Sequence, residues 1–275
     1  MYKRQLFTLG RAAAAAGDRE RALEAYVQLE ALAGMGSSLV PIATADLEMY
    51  LGRQAEAIAV LEPAIEASEN PFEKAAMLIA SGEAQMAVGN EAAAVSSAVE
   101  ASDLSEHESI QYLAARILMA AGEGDHADEI ALDLENRLKS QTTALSALIR
   151  GERALDKGQL GTAMREFRFA REEFDMWFGH FLMGRAFFEA EQYPEALDEF
   201  DHCVRGKGEI TDVFLVDSAT VRYFPPALYW LARSHEALGN VTAAQELYRE
   251  YVDLRGEADP SDLLSADAAD RLARN

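Results

Sequence analysis

His202 and Cys203 stand side by side, and histidine beside cysteine is a pairing from which metal centres and thiol nucleophiles are built. Neighbouring residues on a helix point about 100° apart, so these two cannot act on one site. Cys203 falls on an apolar stripe and reads as an inert buried thiol. The other histidines, His107, His126, His180 and His235, fall in different helices or at turns, with no spacing that suggests zinc. Acidic pairs such as Glu172-Glu173 and Glu199/Asp201 look like solvated helix faces, since carboxylate chemistry needs a pocket. Gly122-Glu123-Gly124 reads as a helix–helix turn, because no Lys-Ser or Lys-Thr follows it to hold phosphate. Asn240-Val241-Thr242 is a glycosylation sequon at a turn and carries no further meaning. The expectation is a chain that is not an enzyme, with no catalytic residues, no metal and no cofactor.

The charge balance points to the class of partner. The 275 residues carry 47 acidic against 25 basic side chains, a net charge of −22. Phosphate binding needs clustered cations, so nucleic acid is an unexpected partner, and anionic membrane surfaces are disfavoured for the same reason. No apolar run reaches transmembrane length, and Met1–Arg11 lacks the continuous apolar core of a secretory signal. One cysteine excludes an intramolecular disulfide and fits a reducing compartment, so a cytoplasmic location is expected. Met1–Gln5 resemble a translated transposon-adapter end, which would place a gene cut off upstream; an ordinary polar N-terminus is the alternative.

Something must position these side chains, and the composition names helices. Ala, Leu, Glu and Arg dominate, and most of the 7 prolines sit near segment edges, with Pro63 the exception. Trp177–Arg205 reads as two amphipathic helices across a tight turn. Gly184 admits the second helix closely, and Ala196, Phe200 and Cys203 share the facing stripe. The unit recurs. A Gly followed five residues later by Ala appears as Gly17/Ala22, Gly52/Ala57, Gly89/Ala94, Gly122/Ala127, Gly158/Ala163 and Gly239/Ala244, and as Glu191/Ala196 without the glycine. The alanines recur every 33 to 37 residues until a final gap of 48. Seven residues before each turn position stands a small residue: Gly10, Ala45, Gly82, Ala115, Gly151, Gly184 or Ala232. Glycine ends the first helix in a left-handed backbone, and paired small residues let the two helices interlock. One hairpin cannot bury such a face alone, so neighbours must stack.

LGRAAAAAGDRERALEAY, MGRAFFEAEQYPEALDEF and LARSHEALGNVTAAQELY resemble the tetratricopeptide repeat family, and the likeness runs from about Leu6 to Tyr251. Repeats 2, 3 and 4 depart from it. The second carries Pro41, Asp46, Glu48 and Pro63, and the next two place Ala98 and Ala131 where a bulky residue is usual. The resemblance implies an all-α, right-handed α-α superhelix of about seven hairpins. The array spans 1–254, with repeats near 3–36, 38–71, 75–106, 108–141, 144–175, 177–206 and 225–256 and an insertion at 207–224. A capping helix follows at 260–275, with Ser261 as its N-cap and Leu264, Ala268 and Leu272 on one face. The insertion is β-branched and aromatic, which suits an extended arm or short hairpin packed on the array; a long loop with a satellite hydrophobic cluster is the plainer reading, and a flap over the groove or a partner-docking strand the sharper one. DVFLVDSATVRYFPPALYWLARSHEALG also resembles the C-terminal repeat region of some bacterial serine/threonine kinases.

In this family the first helix of each hairpin lines the concave surface. The resemblance therefore implies a partner-binding groove containing Tyr112, Arg116, Met119, Phe178, Phe181, Arg185, Phe188, Tyr229 and Arg233. Large apolar side chains beside arginines are what binding hot spots use. Against this stands the plainer reading that they pack on neighbouring helices and pair with nearby carboxylates. The implied function is a protein–protein interaction scaffold holding a protein or peptide partner. The alternatives are the regulatory tail of a larger bacterial signalling enzyme, and a structural assembly part or homo-oligomer.

Overall fold

The computed structural model describes residues 2–16, 18–33, 39–211, 220–256 and 258–274. Within them lie fifteen α-helices and no strand. They are α1 (Tyr2–Ala15), α2 (Arg19–Ala33), α3 (Leu39–Tyr50), α4 (Gln54–Ala67), α5 (Pro71–Ala87), α6 (Glu91–Leu104), α7 (Glu108–Ala120), α8 (Gly124–Asn136), α9 (Ser140–Asp156), α10 (Leu160–Glu173), α11 (Trp177–Glu189), α12 (Tyr193–Arg205), α13 (Pro225–Ala237), α14 (Val241–Leu254) and α15 (Leu263–Arg274). Consecutive helices pack pairwise from α1/α2 to α13/α14, each hairpin packs on the next, and α15 lies against α14. The core is one continuous apolar stripe, running from Leu6 in α1 to Ala268 in α15.

The hairpin turns explain the recurrent glycine. Gly52, Gly89, Gly122, Gly158 and Gly239 all have φ between 67° and 85°, a left-handed backbone that glycine adopts freely. In each turn the next amide reaches back five residues to close the helix. Arg53 donates to the Glu48 carbonyl at 2.8 Å, Glu123 to Leu118 at 2.8 Å, and Asn240 to His235 at 2.9 Å. Gly17 lies outside the described residues. Glu191 occupies the same position after α11 at φ 59°, and Gln192 closes the turn on Phe187 at 2.9 Å. A side chain in this conformation carries steric strain of about 1–2 kcal/mol. Part of that is regained by glycine's greater freedom in the unfolded chain. Glu191→Gly is therefore expected to stabilise the protein by about 1 kcal/mol, read as a higher urea midpoint at unchanged slope.

The small residues of the first helices mark close approaches. A Cβ added at Gly10 would lie 2.1 Å from the Tyr26 ring, at Gly151 2.3 Å from Phe167, and at Gly184 2.8 Å from Phe200. In repeats 3 and 4 the facing positions are Ala98 and Ala131, fully or nearly buried, so those hairpins interlock with less bulk.

The stack closes on itself. Arg255, just after α14, donates through Nη1 to the Met49 carbonyl at 2.9 Å and pairs with Asp262 at 3.5 Å. The Asp259 amide donates to the Gly52 carbonyl at 2.9 Å, while its carboxylate accepts from the Ala55 amide at 3.0 Å, at the start of α4. The C-terminal end of the array is thus clasped to the second hairpin. The helix that follows is capped by Asp262 rather than Ser261. The Asp262 carboxylate accepts from the Ser265 amide at 3.2 Å and from its hydroxyl at 2.7 Å. Ala268 is buried, and Leu264 and Leu272 are half-buried against the core.

Candidate functional site

The interior of this closed array is occupied in part by the chain's own insertion. Its described ends form 3-10 turns, at Glu209–Thr211 and Val221–Tyr223, rather than strands; the stretch 212–219 lies outside the described residues. Ile210, Val221 and Phe224 are buried, and Thr220 donates its hydroxyl to the Ile210 carbonyl.

Arg222 is the centre of that contact. Its Nη1 meets the Asp46 carboxylate at 3.1 Å and its Nε the Glu83 carboxylate at 2.6 Å. The amides of Val221 and Arg222 also donate to Asp46, at 3.1 and 3.2 Å. The Asp46 side chain is 0% exposed and that of Arg222 3%. Burial alone would weaken the guanidinium's charge, but Glu83, Tyr223 and Asp46 outweigh it and hold its pKa above the ordinary arginine value. Tyr223 follows, donating its hydroxyl to Glu83 and placing its ring 5.0 Å from Phe178, edge to face.

The residues expected to line a groove divide into two groups. Arg116 and Phe178, with Tyr112 beside them, form the wall on which Tyr223 of the insertion rests. Tyr112 and Phe178 are buried, and Tyr112 donates its hydroxyl to Glu152 at 3.2 Å. Arg116 pairs with Glu152 at 3.3 Å and lies 5.0 Å over the Phe178 ring and 5.6 Å over Tyr223. Met119 is 9% exposed. Tyr112, Arg116 and Phe178 make packing and ion-pair contacts within the chain, with Glu152 and with Tyr223 of the insertion.

The second group lies towards the last hairpins. Phe181 stacks on Trp177 at 5.3 Å and meets the edge of Phe200 at 5.9 Å. Phe188 meets Trp230 edge-on at 5.1 Å. Arg185 lies 4.2 Å over the Trp230 ring, and Arg233 lies 5.3 Å over Phe188. Tyr229 is buried and bound by the capping helix, its hydroxyl donating to Asp267 at 2.6 Å and accepting from Arg233 at 3.0 Å. Arg185 is held more loosely. Its nearest carboxylate is Glu189 at 3.9 Å, and its Nε has no hydrogen-bond partner among the described residues. Burial lowers its pKa, opposed by Glu189, Glu152 and Asp156. Beside it opens a cavity of about 510 Å³ lined by Arg116, Glu152, Leu155, Leu160, Phe181 and Leu182.

The histidines make a cluster that the sequence did not suggest. His180 and His202 stack with ring centres 3.7 Å apart. His180 meets Glu199 through Nδ1 at 2.7 Å and Asp175 through Nε2 at 3.2 Å, and Arg171 binds Glu199 at 2.8 Å. Burial raises the Glu199 pKa, but the bonds from His180 and Arg171 outweigh it and leave the carboxyl below its ordinary range. The signal was there: residues 199 and 202 sit one turn apart on α12, facing α11. Cys203 points instead into the core, where burial pushes its thiol pKa up and makes it a poor nucleophile. No group of three or more metal-ligating side chains occurs among the described residues, and no described helix is long and apolar enough to cross a membrane.

Stacked antiparallel hairpins with left-handed turns define an all-α superhelical repeat array. Residues 226–255 match the sequence profile of the tetratricopeptide repeat family. Among solved structures it resembles a thermophilic tetratricopeptide repeat protein of Thermus thermophilus, at 16% identity and TM-score 0.51, over 74% of this chain and 98% of that one. It also resembles a tetratricopeptide repeat protein from Parabacteroides merdae, at 11% identity and TM-score 0.54, over 98% and 99%. A third likeness is to the human IFIT1 dimer with PPP-AAAA, at 14% identity and TM-score 0.54, over 94% and 59%. At these identities the likeness is one of fold. No curated protein matches the chain in sequence.

Proposed function

We propose that this chain is a protein–protein interaction scaffold that holds an extended peptide along the part of its concave surface beside Arg185, away from the described ends of its insertion. The observation that supports the reading best is Arg185. It is a half-buried guanidinium with one loose ion pair and an aromatic platform beneath it, at the rim of a cavity walled by Leu155, Leu160, Phe181 and Leu182. Burial strips water from such a cation and leaves it short of partners, so a carboxylate or carbonyl brought by a peptide gains a charge-assisted bond there. The apolar wall takes the neighbouring side chain, and arginine with aromatic residues is the composition of interface hot spots.

The test is selection from a displayed peptide library. Wild-type protein is expected to enrich a family of related sequences. The double variant Arg185→Ala with Arg233→Ala should bind an enriched peptide at least about 30-fold more weakly, roughly 2 kcal/mol, with an unchanged far-UV spectrum. Undiminished affinity in the double variant would reject this part of the surface as the binding site.

A further inference from the structure

Val221–Tyr223, at the end of the insertion, is held as a bound peptide would be held. It lies outside the repeating frame, between α12 and α13, yet it docks on α3 and α5, 139 to 176 residues away. The contacts are made by the ends of side chains and by main-chain amides. The Arg222 guanidinium bridges two carboxylates, Asp46 at 3.1 Å and Glu83 at 2.6 Å. The successive amides of Val221 and Arg222 donate to the same Asp46 carboxylate. The Tyr223 ring sits 5.0 Å from Phe178 of α11, with the Arg116 guanidinium of α7 lying 5.6 Å over it. One arginine, one aromatic ring and two adjacent amides are thus held together by four hairpins. The dock also borders open space. A cavity of about 410 Å³ adjoins it, lined by Glu83, Arg116, Arg222 and Tyr223 together with Met49 and Met86.

This arrangement fixes the chemistry of anything that could take the segment's place. A neutral occupant would leave two enclosed carboxylates without the guanidinium they share, and removing one partner of a buried pair is strongly unfavourable. Lysine is a poor substitute, because a point charge does not bridge two carboxylates as a planar fork of donors does. An occupant that brings its own guanidinium orphans nothing. We infer that Asp46, Glu83, Arg116 and Phe178 form a recognition site for an arginine followed by an aromatic residue, filled within the chain by Arg222-Tyr223 and in trans by a partner segment carrying the same pair. A tethered segment competes at an effective concentration on the order of millimolar, so the insertion sets the threshold that a partner must pass. The site is separate from the Arg185 surface and does not depend on that reading. The two select opposite chemistry, a hydrogen-bond acceptor beside Arg185 and a donor cation here.

The probe is fluorescein-labelled Thr-Val-Arg-Tyr-Phe-amide, the chain's own residues 220–224, and the readout is fluorescence anisotropy. Arg222→Ala with Tyr223→Ala vacates the site, and this protein is expected to bind the probe saturably. Citrulline in place of the probe's arginine keeps the shape and removes the charge, and should weaken binding at least about 30-fold. Glu83→Gln in the vacated protein should weaken it at least about tenfold. The wild type should bind about 100-fold more weakly than the vacated protein, and amide exchange at Val221 and Arg222 should quicken as the probe saturates it. Arg222→Lys keeps a cation on the segment and guards against loss of fold in the vacated protein; its affinity should exceed that of the wild type. Arg185→Ala with Arg233→Ala should leave binding of this probe unchanged, so failure here and failure of the Arg185 surface are separately visible. The inference is overturned if the citrulline probe binds as well as the arginine probe, or if neither the vacated protein nor Arg222→Lys binds. It is overturned equally if the vacated protein binds while the wild type excludes the probe at millimolar concentration, which would make the segment a fixed part of the fold rather than an occupant.

Discussion

Asp46→Ala is expected to destabilise the protein by about 3–5 kcal/mol, the range for breaking a buried ion pair by removing one partner. Asp46 is fully enclosed and accepts from the Arg222 guanidinium and from two successive amides of the insertion. Its removal leaves those two amides without their acceptor and Arg222 held by Glu83. The origin of the loss is testable, because orphaning a charge costs far more than removing the pair. Asp46→Ala combined with Arg222→Met should recover a part of the loss, limited because the two amides stay unsatisfied and Glu83 keeps the Tyr223 hydroxyl but loses its cation. The measurement is urea denaturation followed by the fluorescence of Trp177 and Trp230. Amide exchange should quicken in Asp46→Ala at the clasp between Gly52–Ala55 and Arg255–Asp259. A loss below about 1 kcal/mol, or a double variant no better than the single, would mean that the insertion contributes little to closing the array.

Asp46 also marks the limit of what could be read from the chain. In the sequence it counted against the second repeat, a polar residue in a helix whose neighbours are apolar. In the structure it is the receptor for Arg222, 176 residues away. Helical periodicity reports which face of a segment is buried, and it carries no information about a partner so distant in sequence. Local chemistry is different. The left-handed turns after α3, α5, α7, α9 and α13 follow from glycine's backbone freedom, and the Gly10/Tyr26, Gly151/Phe167 and Gly184/Phe200 contacts follow from small-against-large spacing within one hairpin. Those relations span fewer than 20 residues, and the sequence displays them openly.

The candidate groove fared differently because it depends on what lies across it. The register of the first helices says which side chains share a face of each helix. It does not show that Tyr223 covers Phe178, or that α15 binds Tyr229. The arginine-rich inner face divides along the same line. Arg116 has Glu152, and the insertion brings Arg222 to Glu83. Arg185 is left with a 3.9 Å contact, and only the assembled structure distinguishes it from Arg116 and Arg233.

Phe200→Ala should cost about 3–5 kcal/mol, the range for deleting a fully buried aromatic ring. Phe200 is 0% exposed. It packs against Gly184, meets Phe181 at 5.9 Å and lies nearly parallel to Trp230 at 6.3 Å, so it joins α12 to α11 and to the hairpin beyond. The same contact explains Gly184. A methyl there would sit 2.8 Å from the ring, and Gly184→Ala should cost about 1–3 kcal/mol through overpacking. In the middle of a helix, however, alanine is intrinsically better than glycine by roughly 0.5–1 kcal/mol. Once the ring is removed that preference is unopposed. Gly184→Ala should then change sign, destabilising the wild type and stabilising Phe200→Ala by up to about 1 kcal/mol. Urea denaturation of the four proteins measures both singles and their coupling. If Gly184→Ala cost the same in both backgrounds, the glycine would be needed for a reason other than the ring, and the interlocking of small against large that repeats along the chain would lose its physical basis at this hairpin.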